Sequence, residues 1–273
     1  GAIGWIVSEE AFMQPLRKVI SKLKLRASYG QVGNANLGGR RFAYLSTITD
    51  DYDTLNMYKW GLDSSYGLTG MAEGEFAVQD LTWEIVNKMN LGVELGFLNG
   101  MIDLQLDYFD ERRKDIFMPR ESVPMTAGFM KQPWKNFGKV TNQGVEVSLN
   151  VNKQFGKDLF VSLMGTFTYA HNEITEKDEP SAVVGTNRAE TGHPVGQLTG
   201  YIAEGLFTED DFEDVSTGKL KEGIPTQSFV SKLRPGDIRY RDVNGDGKVD
   251  VFDKSPIGGT KDPEIVYGFG LNM

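Results

Sequence analysis

Two neighbouring segments of this chain alternate between apolar and polar or small residues at every step. They are residues 89–97, which read Met-Asn-Leu-Gly-Val-Glu-Leu-Gly-Phe, and residues 102–108, which read Ile-Asp-Leu-Gln-Leu-Asp-Tyr. A period of two is typical of a β-strand whose two faces meet different environments. Asn99-Gly100 lies between the segments and tolerates the two positive φ angles of a type I′ hairpin turn. The sequence therefore predicts an antiparallel β-hairpin here.

The same alternation recurs along the chain and predicts roughly seven strands in all. The further segments are 3–6, 23–29, 145–151, 159–169 and 267–273. Short turns at Asn99-Gly100 and Gly156-Lys157 alternate with long connections over residues 32–83, 117–138 and 173–262. The predicted fold class is therefore all-β, with antiparallel strands.

This pattern is compatible with two folds, because one face of an antiparallel sheet can meet either a protein core or lipid. No stretch approaches the roughly 18 consecutive apolar residues of a membrane-spanning helix, which excludes a helical membrane protein. A closed β-barrel remains, since its strands are only amphipathic. Short periplasmic turns and long extracellular loops are typical of outer-membrane barrels. We favour an incomplete transmembrane β-barrel segment, and a soluble β-sandwich stays open.

On the barrel interpretation, one face of each strand lines a polar lumen and the leucine, valine and aromatic residues of the other face meet lipid. The predicted lumen-facing residues are Glu94, Asp103, Gln105, Asp107, Glu146, Ser148 and Asn150. A slip of one residue in register would invert this assignment.

Composition excludes several classes of function. The chain has 29 Lys and Arg against 38 Asp and Glu, so it lacks the basic surface of a nucleic-acid reader. It has no cysteine, which excludes disulfides, thiolate metal sites and a cysteine nucleophile. Neither His171 nor His193 has a partner at metal-ligand spacing, and no phosphate-binding or dinucleotide-binding glycine motif is present. Nothing in the sequence points to an enzyme.

One motif carries recognisable chemistry. Residues 242–253 read Asp-Val-Asn-Gly-Asp-Gly-Lys-Val-Asp-Val-Phe-Asp, with Gly247 at the sharp turn of a calcium-binding loop. The predicted ligands are the side chains of Asp242, Asn244, Asp246, Asp250 and Asp253 and the backbone carbonyl of Lys248. Prolines flank the loop where an EF-hand has helices, so we expect an isolated structural calcium site in an extracellular loop. An acidic loop stabilised by Asx turns without metal stays open.

Several short segments along the chain are informative because they occur together and in one order. They are Gly4-Trp5 with Ser8-Glu9-Glu10, residues 23–34, Trp83-Glu84 with Asn87 and residues 90–92, Asp107-Tyr108-Phe109 with residues 114–116, residues 142–146, Gly192-His193-Pro194, Tyr201 with Gly205-Leu206-Phe207, Pro235-Gly236-Asp237 and the calcium-type loop. Taken together and in this order, the set resembles the SusC/RagA family of TonB-linked outer-membrane transporters.

The resemblance implies a barrel in the outer membrane of a Gram-negative bacterium, in contact with its lipid. It implies active import of oligosaccharides or peptides with a SusD-like surface lipoprotein and with energy passed through TonB, and no bond is broken. Residues 1–273 resemble only a late, C-terminal-side part of the barrel. The plug domain and the TonB-contacting segment would then lie outside this chain, which begins at Gly1 and stops at Met273 inside an apolar run.

Two rival functions stay open at this point. A passive porin or adhesin barrel would share the strands and loops but would need neither lid nor energy coupling. A soluble calcium-binding, carbohydrate-binding β-sandwich would fold without a membrane.

Overall fold

The computed structural model describes residues 1–49, 58–63, 66–68, 71–129 and 131–273. It divides into two compact units, one of Gly1–Pro180 with Glu264–Met273 and one of Ser181–Pro263. Parts of two predicted loops lie outside the described residues. They are residues 50–57, 64, 65, 69 and 70 of loop 32–83 and residue 130 of loop 117–138. No helix in the described part of the chain is long and apolar enough to cross a membrane.

The first unit is built on long antiparallel strands. Its strands are β1 (Ala2–Ile6), β2 (Ile20–Asn34), β3 (Ile48–Thr49), β4 (Tyr58–Trp60), β5 (Tyr66–Leu68), β6 (Ala72–Glu73), β7 (Glu84–Phe97), β8 (Ile102–Pro119), β9 (Trp134–Phe155), β10 (Leu159–Glu176) and β19 (Ile265–Asn272). Seven of them form one sheet in the order β1-β2-β7-β8-β9-β10-β19, and β3-β6 and β4-β5 are separate pairs. Short 3₁₀ helices cover Val7–Glu9, Ala11–Leu16 and Met125–Ala127. The predicted antiparallel sheet of seven strands is confirmed.

Most strands extend beyond the segments in which hydrophobicity alternates. The connections between sheet strands are consequently 35–83, 120–133 and 177–264, where the sequence predicts 32–83, 117–138 and 173–262. The ladder continues through polar partners, such as the hydrogen bond of Gln31 to Asn87 and the ion pair of Lys139 with Glu176. Because such pairs have no apolar period, the sequence pattern does not mark the strand ends.

The turn between β7 and β8 is residues 98–101. Asn99 and Gly100 have the positive φ angles that the sequence predicts, 61° and 83°, and Leu98 adds a third at 54°. The left-handed backbone reverses the chain so that Phe97 pairs with Ile102.

The second unit consists of short paired strands around a small core. Its strands are β11 (Gln197–Gly200), β12 (Ala203–Leu206), β13 (Phe212–Asp214), β14 (Lys219–Leu220), β15 (Thr226–Gln227), β16 (Ile238–Tyr240), β17 (Lys248–Val249) and β18 (Ser255–Thr260), with 3₁₀ helices at Glu209–Asp211 and Val251–Asp253. They pair as β11-β18, β12-β16, β13-β14 and β15-β17. Phe207, Phe212 and Leu233 form the buried core. Most of the predicted loop 173–262 is therefore a compact unit whose strands are too short to show a hydrophobic period.

Candidate functional site

The seven-stranded sheet has one apolar face. Directly paired residues of neighbouring strands stand on the same face, so the register assigns each side chain. One row of apolar partners crosses all seven strands: Trp5, Leu25, Val93, Leu106, Val147, Phe167 and Tyr267. Five of these side chains are exposed, from Leu106 at 37% to Tyr267 at 75%, and Val93 and Val147 are half-buried. No side chain in the row is fully buried.

The opposite face carries the polar residues that the sequence predicts for a lumen. Asp107 pairs with Glu146, Asp103 with Asn150, and Gln105 with both Glu94 and Ser148. Since Asp103, Gln105 and Asp107 alternate along one strand, all seven predicted residues share this face. The prediction that they face the same side is confirmed.

A network of charges links three strands on the polar face. Glu94 on β7 accepts from Lys22 at 2.6 Å and from Lys24 at 3.2 Å, both on β2. Nη2 of Arg26 lies 2.8 Å from Oδ1 and 2.7 Å from Oδ2 of Asp107 on β8. The Asp107 side chain is 7% exposed and that of Arg26 34%, so the carboxylate is shielded from solvent and the ion pair connects β2 to β8 across β7.

Gly92 makes the pairing of Arg26 with Asp107 possible. It stands between them in the ladder, opposite Arg26 on one side and Asp107 on the other. A Cβ atom at Gly92 would lie 2.4 Å from Nε of Arg26 and 2.6 Å from Oδ1 of Asp107. The absence of a side chain at Gly92 therefore opens the path along which the guanidinium reaches across β7.

Arg26, Lys22 and Gly92 are not among the residues that the sequence predicts for the lumen. The sequence does contain a pattern that places cations on the polar face, because Lys24 and Arg26 alternate with Leu23 and Leu25 on β2. Their partners could not be inferred, since Arg26 and Asp107 are 81 positions apart in sequence and the pairing depends on the register of two strand pairs.

A second polar cluster closes the connection that follows β8. Asp178 accepts hydrogen bonds from Nε of Arg120 at 2.9 Å and from the backbone N–H and hydroxyl of Ser122 at 3.2 and 3.0 Å. Burial raises the pKa of Asp178, but the bonds from Arg120 and Ser122 together outweigh burial and hold this pKa below its ordinary value. Asp178 is therefore a charged anchor for the segment 120–122.

The predicted calcium ligands lie on one loop of the second unit and bond mainly to that loop. The two carboxylate oxygens of Asp242 accept from the backbone N–H groups of Gly245 and Gly247, each at 2.7 Å. Asp246 accepts from the N–H of Lys248 at 2.9 Å. The backbone N–H of Phe252 lowers the pKa of Asp250. These are the Asx-turn contacts that the sequence left open as an alternative to metal.

Asp253 is the last residue of the same loop and is fully buried. It accepts from the backbone N–H groups of Val243 and Asp250 at 2.8 and 2.7 Å and from that of Asn244 at 3.3 Å. Within the described residues, no three Asp, Glu or His side chains converge as a metal-binding group. Hydrogen bonds within the loop are joined by others from Thr226 to Gly247 and from Asn187 to Phe252.

Comparison with known proteins gives a consistent picture. The family model described as TonB dependent receptor-like, β-barrel matches residues 16–255. The TonB-dependent receptor SusC of Bacteroides thetaiotaomicron is 30% identical over 256 residues, which cover 93% of this chain and 24% of that protein. The TonB-dependent receptor P39 of Formosa agariphila is 27% identical over 291 residues, which cover 98% of this chain and 26% of that protein.

A solved structure shows the same fold. The RagAB peptide importer in its closed-closed state superposes with a TM-score of 0.65 at 20% identity, over 99% of this chain and 27% of that chain. The chain thus spans about a quarter of the length of the curated relatives that it matches.

Proposed function

The chain belongs to the TonB dependent receptor-like, β-barrel family, and we propose that it forms part of an outer-membrane barrel that imports oligosaccharides or peptides. The membership confirms the resemblance predicted from the sequence. TonB-dependent receptors such as SusC are outer-membrane β-barrel proteins, and the location is the outer membrane of a Gram-negative bacterium. Import is the function that this family supports, and it requires no catalytic group in the chain.

The two-faced sheet is the observation that carries the proposal. Its apolar face stays exposed from Trp5 on β1 to Tyr267 on β19, which is unfavourable in water and favourable against hydrocarbon. Its polar face carries a charged network that suits a hydrated lumen. A soluble sandwich would need a second sheet over the apolar face, and the other sheets in the described part of the chain have two strands each.

The proposal also includes two partners of the complete receptor, TonB and a SusD-like lipoprotein. RagAB is a peptide importer and SusC is a TonB-dependent receptor, and both support import driven through TonB. By the same likeness, a SusD-like lipoprotein covers the extracellular mouth and delivers the oligosaccharide or peptide. Since import breaks no bond, we infer that the chain is not an enzyme.

Uptake by cells that carry the complete receptor tests this function. Cells are supplied with fluorescent oligosaccharide and peptide mixtures, and uptake is compared before and after deletion of TonB or of the SusD-like lipoprotein. We expect each deletion to abolish uptake of the receptor's substrate. Uptake that survives the loss of TonB would identify a passive porin, and recovery of the complete protein without detergent would identify the soluble alternative.

A calcium ion bound by residues 242–253 is a separate proposal. All six predicted positions supply oxygen, which calcium prefers. Each carboxylate oxygen has two acceptor positions, so a backbone N–H on Asp242 or Asp246 leaves a second position for the ion. The side chains of Asp242, Asn244, Asp246, Asp250 and Asp253 and the carbonyl of Lys248 would hold it, and the ion would brace the second unit.

Calorimetric titration of the complete receptor with calcium chloride tests this site, together with proteolysis of residues 181–263 with and without a chelator. We expect the double variant Asp242→Ala/Asp246→Ala to lose binding and to be cut equally fast in both conditions. The matched control is Glu209→Ala/Asp210→Ala, which removes two charges elsewhere in the unit. If chelator leaves proteolysis of the unchanged receptor unaltered and no heat is detected, the loop is a metal-free Asx-turn loop.

A further inference from the structure

A polar cleft of about 580 Å³ lies wholly within the second unit. Its walls come from residues 187–199, which include the start of β11, and from residues 251–261, which include the whole of β18. Its lining includes Asn187, Arg188, His193, Gln197, Lys254 and Lys261. Neither the sheet nor the calcium-type ligands account for this cleft.

Three full positive charges line the cleft against one carboxylate. They belong to Arg188, Lys254 and Lys261, and the carboxylate is that of Glu190. The surrounding unit is acidic, since residues 181–263 contain more Asp and Glu than Lys and Arg, and the charge of Arg188 also acts on Asp250. Three positive charges that line one cleft with a single carboxylate repel one another, and an anion in the cleft would relieve that repulsion.

Aromatic rings hold two of these cations in place. The guanidinium carbon of Arg188 lies 4.9 Å from the ring centre of Phe252, and Nζ of Lys254 lies 5.7 Å from that of Tyr201. Both distances fall in the range of cation–π attraction. The cations are thus positioned before any ligand arrives, which reduces the entropy that binding must overcome.

Two amide side chains in the lining present oxygen atoms in fixed orientations. Nδ2 of Asn187 donates to the carbonyls of Phe252 and Lys254 at 3.0 and 2.8 Å. Nε2 of Gln197 donates to the carbonyls of Leu198 and Gly259, both at 3.0 Å. The backbone carbonyls fix each amide through its nitrogen, and each amide oxygen is by its chemistry an acceptor for a ligand hydroxyl.

We propose that this cleft binds an acidic oligosaccharide. Arg188, Lys254 and Lys261 take its carboxylate or sulfate groups, and the amide oxygens of Asn187 and Gln197 accept from its hydroxyls. Most lining residues are polar or charged, which suits the hydroxyls of a sugar, while Ala189, Pro194, Val251 and Pro256 add apolar surface. This inference rests on the import function proposed above, because it names the class of molecule that the importer takes.

Calorimetry on the complete receptor in detergent tests the cleft directly. The probes are a uronic-acid tetrasaccharide, its uncharged methyl ester, a sulfated neutral-sugar tetrasaccharide and an acidic tetrapeptide. We expect the double variant Lys254→Gln/Lys261→Gln to bind the preferred acidic sugar about tenfold more weakly. The control Lys219→Gln/Lys221→Gln removes two charges from the same unit outside the cleft and should bind as the unchanged receptor does. The uronic-acid and sulfated probes distinguish the two kinds of acidic group.

Three outcomes would overturn the inference: neither acidic sugar binds, the methyl ester binds as tightly as the acid, or the cleft variant binds as the control does. Tighter binding of the peptide would assign the cleft to peptides. The binding site and the import function can be tested independently, because calorimetry measures binding without transport. If the acidic sugar binds in the cleft but its uptake does not depend on TonB, the proposed import function is wrong and the proposed binding site is supported. If uptake needs TonB but the cleft variant binds normally, only the site is wrong.

Discussion

Gly92, which has no side chain, leaves the space in which Arg26 and Asp107 form their ion pair. Its Cα stands between Arg26 and Asp107, and even a methyl group there would overlap both side chains. We expect Gly92→Ala to break their ion pair or to shift β7, and to lower the free energy of unfolding by about 1–3 kcal/mol. Urea unfolding of the complete receptor in detergent measures this loss. Gly30→Ala is the matched control, because a Cβ at Gly30, on the same face, meets open space. Equal stability of the two variants would contradict the role given to Gly92.

Asp178 makes a prediction about pH. Its pKa is lowered in the folded chain, so the unfolded state binds more protons in acid. The stabilisation by Asp178 is therefore present above the ordinary aspartate pKa, near 3.9, and is lost as the pH falls through the lowered value. We expect Asp178→Asn to reduce the protection of residues 120–122 against hydrogen exchange at pH 7, at a cost of about 1–2 kcal/mol.

The comparison of Asp178→Asn with the unchanged receptor across pH completes that test. Protection of residues 120–122 should fall in acid for the unchanged receptor and stay level for the variant, so that the two curves meet at low pH. A difference that stays constant between pH 7 and pH 3 would show that the charge of Asp178 does not anchor this segment.

At the scale of single strands, β8 carries two different surfaces on alternate residues. Leu104 belongs to the apolar face and its neighbour Gln105 to the polar face. We expect Leu104→Arg to impair membrane assembly, since a charge facing lipid near the midplane costs about 2–4 kcal/mol. Gln105→Arg introduces the same group one residue later and should assemble normally. The amount of folded receptor in purified outer membranes measures both, and equal assembly would contradict the assignment of faces.

The length of β8 leads to a second prediction for the strands. Its 18 residues extend about 60 Å at the usual rise per residue, well beyond an apolar band of about 25 Å. The outward-facing stripe ends at Tyr108, and Arg112 further along has a side chain that is 71% exposed. The half of β8 that follows Tyr108 should therefore project from the membrane on the side of the long connections.

Cysteine labelling tests this projection in a complete receptor from which any other cysteine is removed, since residues 1–273 contain none. In intact cells, a membrane-impermeant maleimide should label Arg112→Cys from outside, whereas Leu106→Cys should react only after unfolding. Labelling of Leu106→Cys in intact cells would place the apolar face in water. Failure to label Arg112→Cys in cells, together with labelling after unfolding, would contradict the projection of this half of β8.

At the scale of the whole molecule, the two units would contribute different surfaces to the proposed transporter. The sheet of the first unit supplies a lipid-facing surface and a charged inner surface. The second unit has its own core of Phe207, Phe212 and Leu233, and so it can present a rigid cleft and a structured acidic loop where a flexible connection could not. Family membership and the two faces of the sheet together make import the function that we propose for the chain.

The sequence by itself determined the seven strands, their antiparallel pairing and the two faces, because a period of two is a local property that neighbouring residues reveal. It also determined the family, through short segments in a fixed order. The alternation of apolar and polar residues ends part-way along β8 and β9. The halves of these strands next to the connection 120–133 could therefore not be inferred.

Only the tertiary structure decided which groups meet. The pair of Arg26 and Asp107 requires the registers β2-β7 and β7-β8 to agree, and Gly92 has to occupy the position between them. The core of the second unit and the cleft beside Arg188 arise from strands of two to six residues, which are too short to leave a pattern. Local periodicity encodes elements, whereas contacts between distant residues depend on register and packing that no local pattern contains.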